Sequence, residues 1–378
     1  MTPAPPGYDV RRVVGTVQRP GDIALGPDHP TVDGLPRVAL QVQDGRVTRA
    51  QWLPGTVHRG AEKLFESRDY RQVLMLVDRH AWLSAFCSEI GVAVGVERAL
   101  GLVPPRRAQH LRILLCELTR LTHHLAFLAA LPGDLPDLWR ATAWQWREDL
   151  LDLVEQASGH RVHPMLTQVG GLRQDVPPEW VAAVAAAASQ GPARLAALDD
   201  DALAGVLDLR YAGVAVLDPA TARAMGASGP VARASGVDLD LRRDDPCLPY
   251  PPFAVPLGAD GDARARVRVL LAELAASLDL LAWSAGEVAG MPGEPVNVRL
   301  PKVLRVPEGS SYTWTEGPGG INGYLLVSRN EPTPWRLALR SAGMGNAAAL
   351  GPALAGTAEA DLPAAIASFL LVCGDVDK

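Results

Sequence analysis

Histidines and acids crowd into short loops of this chain, and their spacing suggests proton chemistry. "GPDHPTVDG" (26–34) sets His29 and Asp33 four residues apart among prolines and glycines. An imidazole and a carboxylate held together can pass protons to a bound acceptor. "GTVHRGAEKL" brings His58, Arg59, Glu62 and Lys63 to the mouth of a predicted helix, with His58 and Glu62 on one face and Arg59 and Lys63 on another. A solvated helix start accounts for such a charge run at least as well. "DRHAWLSAFCSEIGVAVGVERALG" places Asp78, Arg79, His80 and Trp82 before an apolar helix carrying Glu89 and Glu97. Carboxylates inside an apolar helix need partners, and Arg112 or Arg120 of the next helix would serve. His123 and His124, and His160 and His163, lack the spacing of a metal-binding motif and read as core or capping residues.

Other chemistries are excluded by what the sequence lacks. It has no P-loop, no GxGxxG after a strand and no GxSxG elbow. Cys87, Cys116, Cys247 and Cys373 are scattered with no CxxC pair, so buried reduced thiols are expected. A hydrophobic content of 48% with 21% charged residues describes an ordered chain, and a net charge of -6 leaves no basic stripe for nucleic acid. Apolar runs such as "AAIASFLLVCG" fall short of the roughly 20 residues that cross a bilayer. The opening "MTPAPPGYDVRR" lacks the charged-then-apolar order of a secretory signal, which predicts a cytoplasmic address.

The elements that must position these groups follow from periodicity. Val38, Leu40 and Val42 alternate up to Asp44-Gly45 and the pattern resumes at Val47, which predicts a hairpin with a type I′ turn. From 84 to 100 and from 107 to 131 the period is helical, with Leu111, Leu114, Leu115, Leu118, Leu121, Leu125 and Leu128 in one stripe. Further helices are predicted over 143–158, stopped by Gly159, over 178–190, ended by Gly191-Pro192, and over 262–287. Residues 292–320 are rich in Pro and Gly, and "GYLLVSRNEPTPWRLALRS" offers two strands about a turn. The expected class is α+β: a central helical bundle with small antiparallel sheets at its N- and C-terminal ends. A single domain over 1–378 is expected, with a sheet region over 1–60, the bundle over 61–290 and strands with a tail over 291–378.

"HRGAEKLFESRDY", "LRILLCELTRLTHHL", "GHRVHPMLTQVGGLRQDVP", "ARASGVDLDLRRDDP" and "CGDVDK", together with the blocks above, resemble in order and spacing the D-type subunit family of NADH-quinone oxidoreductase. That family forms the quinone site of respiratory complex I and is similar in fold to the large subunits of nickel-iron hydrogenases. Hydrogenases hold their metal through two CxxC pairs, because thiolates suit nickel and iron. The matching positions here are Ala81, Ser84, Val372 and Asp375, with Cys373 one step out of place. The resemblance therefore implies no metal site in this chain.

It implies instead a cavity for a quinone headgroup beside a 4Fe-4S cluster carried by the neighbouring B-type subunit. His29 matches the first histidine of the family's "GPxHPSTHG" loop. The second histidine is Asp33 here, and Trp82 stands at the tyrosine position of "DRxDYxS". An indole N–H donates but releases no proton near neutral pH. Asp33 acts as an acid only if burial lifts it well above about 3.9. His58 and Arg59 match the motif near the cluster, and His163 matches a histidine coupled to cluster redox, with Leu166 where the family has tyrosine. "GDVDK" keeps the charged tail with Lys378 for arginine, and Leu370 replaces an aspartate. From about Trp283 to Gly320 the chain is shorter than is typical and lacks the family's "HHFK" helix. The implied function is a peripheral-arm subunit of an NADH-quinone oxidoreductase of translocase type, on the cytoplasmic side of the membrane. Its implied partners are the B-type and C-type subunits and the H-type membrane subunit, with quinone as substrate and NADH feeding the complex. The alternative is a divergent, non-catalytic paralogue that serves as a structural or electron-relay component.

Overall fold

In a computed structural model, residues 4–16 and 18–378 are described, so the first three residues of the opening segment lie outside. Strands β1 (Asp9–Val14), β2 (Ile23–Ala24), β3 (Arg37–Gln43) and β4 (Arg46–Leu53) form a sheet in the order β2-β1-β3-β4. β1 pairs parallel with β2, and the other pairings are antiparallel. Asp44 (φ 51°) and Gly45 (φ 70°) supply the two left-handed residues that a type I′ turn demands, as the sequence predicts. β4 would be a bare edge, but Val47 exchanges backbone hydrogen bonds with Gly356 and Thr357 from the C-terminal region, which covers it.

Next come α1 (Ala61–Phe65), α2 (Tyr70–His80), α3 (Ala85–Leu100), α4 (Arg106–Ala129) and α5 (Asp137–Ser158). All seven leucines of the predicted stripe on α4 are at most 1% exposed. α5 begins at Asp137, six residues before the expected start, because buried Trp139 anchors the extra turn by donating from Nε1 to the Leu198 carbonyl at 2.9 Å. A two-residue pair, β5 (Thr167–Gln168) and β6 (Gly171–Leu172), leads to α6 (Pro178–Leu198).

α6 does not stop at Gly191-Pro192 but runs on to Leu198. A Cβ at Gly191 would come within 2.3 Å of the Leu278 side chain, so this glycine permits close helix approach rather than ending the helix. Packing there outweighs the hydrogen bond lost at Pro192.

Short helices α7 (Asp201–Arg210), α8 (Pro219–Met225), α9 (Gly229–Arg233) and α10 (Leu241–Asp244) precede the long α11 (Ala263–Ala289). α11 is apolar and long enough to cross a bilayer. Here it packs between α4 and α6 with Arg266 and Glu273 buried along it, as a core helix. Between Ala289 and Gly309 the chain holds no helix or strand. β7 (Gly309–Gly317), β8 (Gly320–Ser328) and β9 (Arg336–Arg340) then form a three-stranded antiparallel sheet, one strand more than expected. β7 sits at the end of a Pro- and Gly-rich stretch, whose composition masks it. Helices α12 (Ala342–Leu354), α13 (Leu362–Ala367) and α14 (Cys373–Asp377) complete the chain.

The tail returns to the start of the chain, since Val13, Val38, Leu40 and Trp52 share an apolar cluster with Leu350, Ile366, Phe369 and Leu371. The bundle interior also holds a charged web. Arg233 reaches Glu273 and Glu316, Arg242 reaches Glu117 and Asp240, and all six are 3% exposed or less except Glu316 at 6%. Each buried charge is paired, the condition for tolerating it.

Candidate functional site

The C-terminal residues fasten the site. Asp377 accepts hydrogen bonds from the Gly55 and Val57 amides at 2.7 and 2.8 Å, and its backbone carbonyl accepts one from His58 Nδ1 at 2.8 Å. Lys378 lies 3.4 Å from Glu62, which also pairs with Arg336 and accepts the Leu339 amide at 2.8 Å. The loop bearing His29 is held to the same tail: Thr31 donates to the Leu371 carbonyl at 2.8 Å. Gly34, at φ +84°, lies so close to Val57 and Cys373 that a Cβ would meet Val57 at 2.3 Å and the Cys373 sulfur at 3.3 Å. Burial, then Asp377 and Asp33 beside it, push the Cys373 thiol up, so it is protonated rather than a metal-ready thiolate.

His29 is 2% exposed and caps the turn Pro30–Val32, its Nδ1 accepting the Thr31 amide at 3.1 Å. The proton of the neutral ring therefore rests on Nε2, which is buried with no partner among the described residues. Burial pulls this histidine down to about 3, and its ring meets Phe127 edge-on at 5.7 Å. Asp33 is exposed. The burial that would let it act as an acid is not provided by the described residues of this chain.

Trp82 opens a single helical turn (Trp82–Ser84) between α2 and α3. It is half-buried and its Nε1 is buried without a partner among the described residues. The cleft it lines is walled by Leu83, Phe86, Leu151 and Val154, not by His29 or Asp33.

A second group forms around α2. α1 starts only at Ala61, so His58 and Arg59 precede the helix and the expected shared faces with Glu62 and Lys63 do not form. Both are exposed. Arg59 donates to the Arg79 carbonyl at 3.1 Å, and Arg79 pairs with Asp78 at 2.9 Å. His163 Nδ1 lies 3.7 Å from Asp78, so Arg59 and His163 converge through Asp78 and Arg79, whereas His58 is tied to the Asp377 carbonyl instead. Asp78 is wholly buried, and burial lifts it to about 6 against the pull of Arg79. Burial and then Arg79 hold His163 below its ordinary value. Glu89 is lifted to about 8 by burial although it accepts the Met165 and Thr167 amides at 2.8 and 2.9 Å. It thus takes no arginine. Glu97 does, in a two-pronged pair with Arg112 at 2.7 and 3.0 Å, as expected. Arg120 turns instead to the Glu316 and Gly317 carbonyls.

The segments matching the hydrogenase thiolate positions do abut, for a Cβ at Gly374 would come within 3.3 Å of the His80 carbonyl. Ala81, Ser84 and Val372 are buried there. Asp375, at the fourth position, is lifted to about 7 by burial and has an oxygen without a partner among the described residues. Cys87 and Cys116 are buried in the bundle 3.7 Å apart, and the half-buried Cys247 lines the same cleft. Burial pushes the Cys116 and Cys247 thiols up, Cys116 chiefly through its bond to Cys87. Among the described residues, no group of three or more His, Cys, Asp or Glu side chains is placed to hold a metal ion. Glu62, Asp78 and Arg79 stood out in the sequence as charged neighbours and Asp375 as the match to a hydrogenase thiolate, but none of them, nor Asp377, was assigned a role in the site. The one signal for them was charge flanking histidine.

The family described as "Respiratory-chain NADH dehydrogenase, 49 Kd subunit" matches residues 139–305 and 298–378. The chain is 47% identical over 358 residues to the D-type subunit, numbered 2, of the NADH-quinone oxidoreductase of Salinispora arenicola, covering 94% of this chain and 93% of the relative. It is 46% identical to the D-type subunit numbered 1 of Streptomyces coelicolor, covering 94% of both, and 33% identical to that of Carboxydothermus hydrogenoformans, covering 94% and 98%. With helices around small sheets, as in the large subunit of hydrogenases, this chain belongs to the 49 kDa, or D-type, subunit family of the NADH-quinone oxidoreductases, the complex I family of electron-transport oxidoreductases.

Proposed function

We propose that the chain forms the quinone-reduction cavity of a complex I-like assembly on the cytoplasmic face of the membrane. The B-type subunit would present its 4Fe-4S cluster to the surface carrying His58, Arg59 and His163, the C-type subunit would complete the peripheral arm, and the H-type membrane subunit would admit the quinone. One observation carries this reading. Trp82, at one of the two positions matched to headgroup contacts, and His29, in the loop that carries the other (Asp33), each keep a buried N–H without an acceptor among the described residues. Such donors cost stability unless something arrives to use them. A quinone carbonyl is such an acceptor, and its affinity for electrons rises when N–H groups point at its oxygen.

Reduction takes two electrons from the cluster and two protons. His29, neutral with its proton on Nε2, polarises the carbonyl, and the Trp82 indole can only donate a hydrogen bond. The protons must come from groups that exchange near neutral pH, and Asp78, with His163 beside it, and Glu89 meet that condition. The purified assembly is expected to pass electrons from NADH to decylubiquinone. His29→Gln and Trp82→Phe are each expected to raise KM about tenfold or more. Normal kinetics in both variants contradict the assignment.

The exposure of Asp33 favours a second reading, a paralogue that keeps docking surfaces but has lost quinone chemistry. In that case the wild-type assembly is inert, and Asp33→His with Trp82→Tyr restores turnover.

A further inference from the structure

The segment that carries His163 is moored from one helix. On α3, Glu89 is wholly buried, and each of its oxygens takes one backbone amide: Oε1 accepts from Met165 at 2.8 Å and Oε2 from Thr167 at 2.9 Å. Eight residues on, Glu97 accepts the Gly170 amide at 2.7 Å and pairs with Arg112, which donates to the Gln168 and Gly171 carbonyls at 3.0 Å. The two carboxyls differ in one respect. Glu97 holds an arginine, whereas Glu89 has no basic partner among the described residues. A buried acid without a counter-charge is costly, and a glutamine would avoid that cost. Glutamine, however, offers one acceptor oxygen where two amides need one each, and its NH2 would face the second N–H. A carboxyl is the group that satisfies both donors.

What Glu89 holds is a strained backbone. Met165 sits at φ 45°, in the left-handed region that residues other than glycine seldom adopt, and such a conformation persists only where its surroundings fix it. The Met165 sulfur rests against the Arg79 guanidinium at 3.5 and 3.6 Å. Arg173 donates to the Met165 carbonyl at 3.2 Å, and its amide donates to the Leu166 carbonyl at 2.9 Å. His163 stands two residues upstream, its side chain 32% exposed and its Nδ1 3.7 Å from Asp78. That separation is just beyond a hydrogen bond, so Asp78 and Arg79 act on the imidazole as nearby charges whose effect follows their distance.

We infer that Glu89 is a positioning residue: by gripping the Met165 and Thr167 amides it sets where His163 stands relative to Asp78 and Arg79. This rests on the reading above, in which the surface carrying His163 faces the cluster of the B-type subunit, and it adds the residue that fixes the imidazole there. Glu89 touches neither quinone nor cluster in this role and acts only through the loop.

The test uses the whole purified complex and two readouts: hydrogen exchange over residues 163–168, and the midpoint potential of the cluster carried by the B-type subunit. Glu89→Gln is expected to speed exchange at the Met165 or Thr167 amide about tenfold or more, with amides of α4 unchanged. It is also expected to shift the midpoint potential in the same direction as His163→Ala does. Because Glu89 acts through the imidazole, adding Glu89→Gln to His163→Ala should move the potential no further. Glu89→Asp keeps both oxygens on a shorter stem and should fall between wild type and Glu89→Gln in both readouts. It carries the same comparison if the glutamine variant fails to assemble. Unchanged exchange overturns the positioning role. So does a potential that responds to His163→Ala but not to Glu89→Gln, or a Glu89→Gln shift that persists undiminished in the His163→Ala background; the reading of the surface then stands. If His163→Ala leaves the potential where it was, that reading falls, and exchange at Met165 and Thr167 alone decides whether Glu89 moors the loop.

Discussion

Asp375 carries a buried carboxyl oxygen with no partner among the described residues, at the position matched to a hydrogenase thiolate. Burial lifts it to about 7 from an ordinary 3.8. The folded chain therefore holds this proton more tightly than the unfolded one. The stability it contributes is complete below about pH 3.8 and is lost as pH rises through about 7. Asp375→Asn keeps the shape without the titration. Thermal unfolding of the full chain is expected to show the variant melting several degrees above wild type at pH 8, with the two converging near pH 4. Parallel curves across that range would remove the buried acid from the account. His29 has the opposite sign, since its folded value near 3 makes the chain lose stability as pH falls below about 6.5. Both residues were conspicuous in the sequence as chemistry. Their protonation states were not, because burial sets them, and burial depends on segments far apart in the chain.

Helices and strands here were readable wherever one face is apolar, as on α4. They were misread where a glycine or proline serves packing. Gly191 and Pro192 have the composition of a helix end, yet α6 continues because α11 lies against it. Glycines of α3 and α7 separate the two roles by experiment. A Cβ at Gly91 would come within 2.0 Å of the Tyr324 ring, whereas one at Gly205 meets nothing within 4 Å. Gly91→Ala is expected to destabilise the chain by about 1–3 kcal/mol through overpacking. Gly205→Ala should stabilise it by roughly 0.5–1 kcal/mol through a better helix propensity. Denaturant melts of the two variants check this, and equal shifts of one sign would contradict it.

At the scale of the whole molecule, the last residues act as a strap from the N-terminal sheet to the C-terminal one. Asp377 holds the Gly55 and Val57 amides, and Lys378 reaches Glu62 and the Leu339 carbonyl. Asp377→Ala is expected to speed hydrogen exchange at Gly55 and Val57 about tenfold or more, with amides in α4 unaffected. Exchange unchanged at those two amides would show that the strap does not hold them. The sequence by itself determined the α+β class, the hairpin at Asp44-Gly45, the apolar stripe of α4 and the family, because these rest on local periodicity, turn chemistry and ordered motifs. Only the tertiary structure decided that Asp33 faces solvent, that His29 and Trp82 keep unused N–H groups, and that Asp78 and Arg79 join Arg59 to His163. Hydrogen bonding and desolvation arise between residues distant in sequence, and no local pattern records which remote backbone or side chain will arrive.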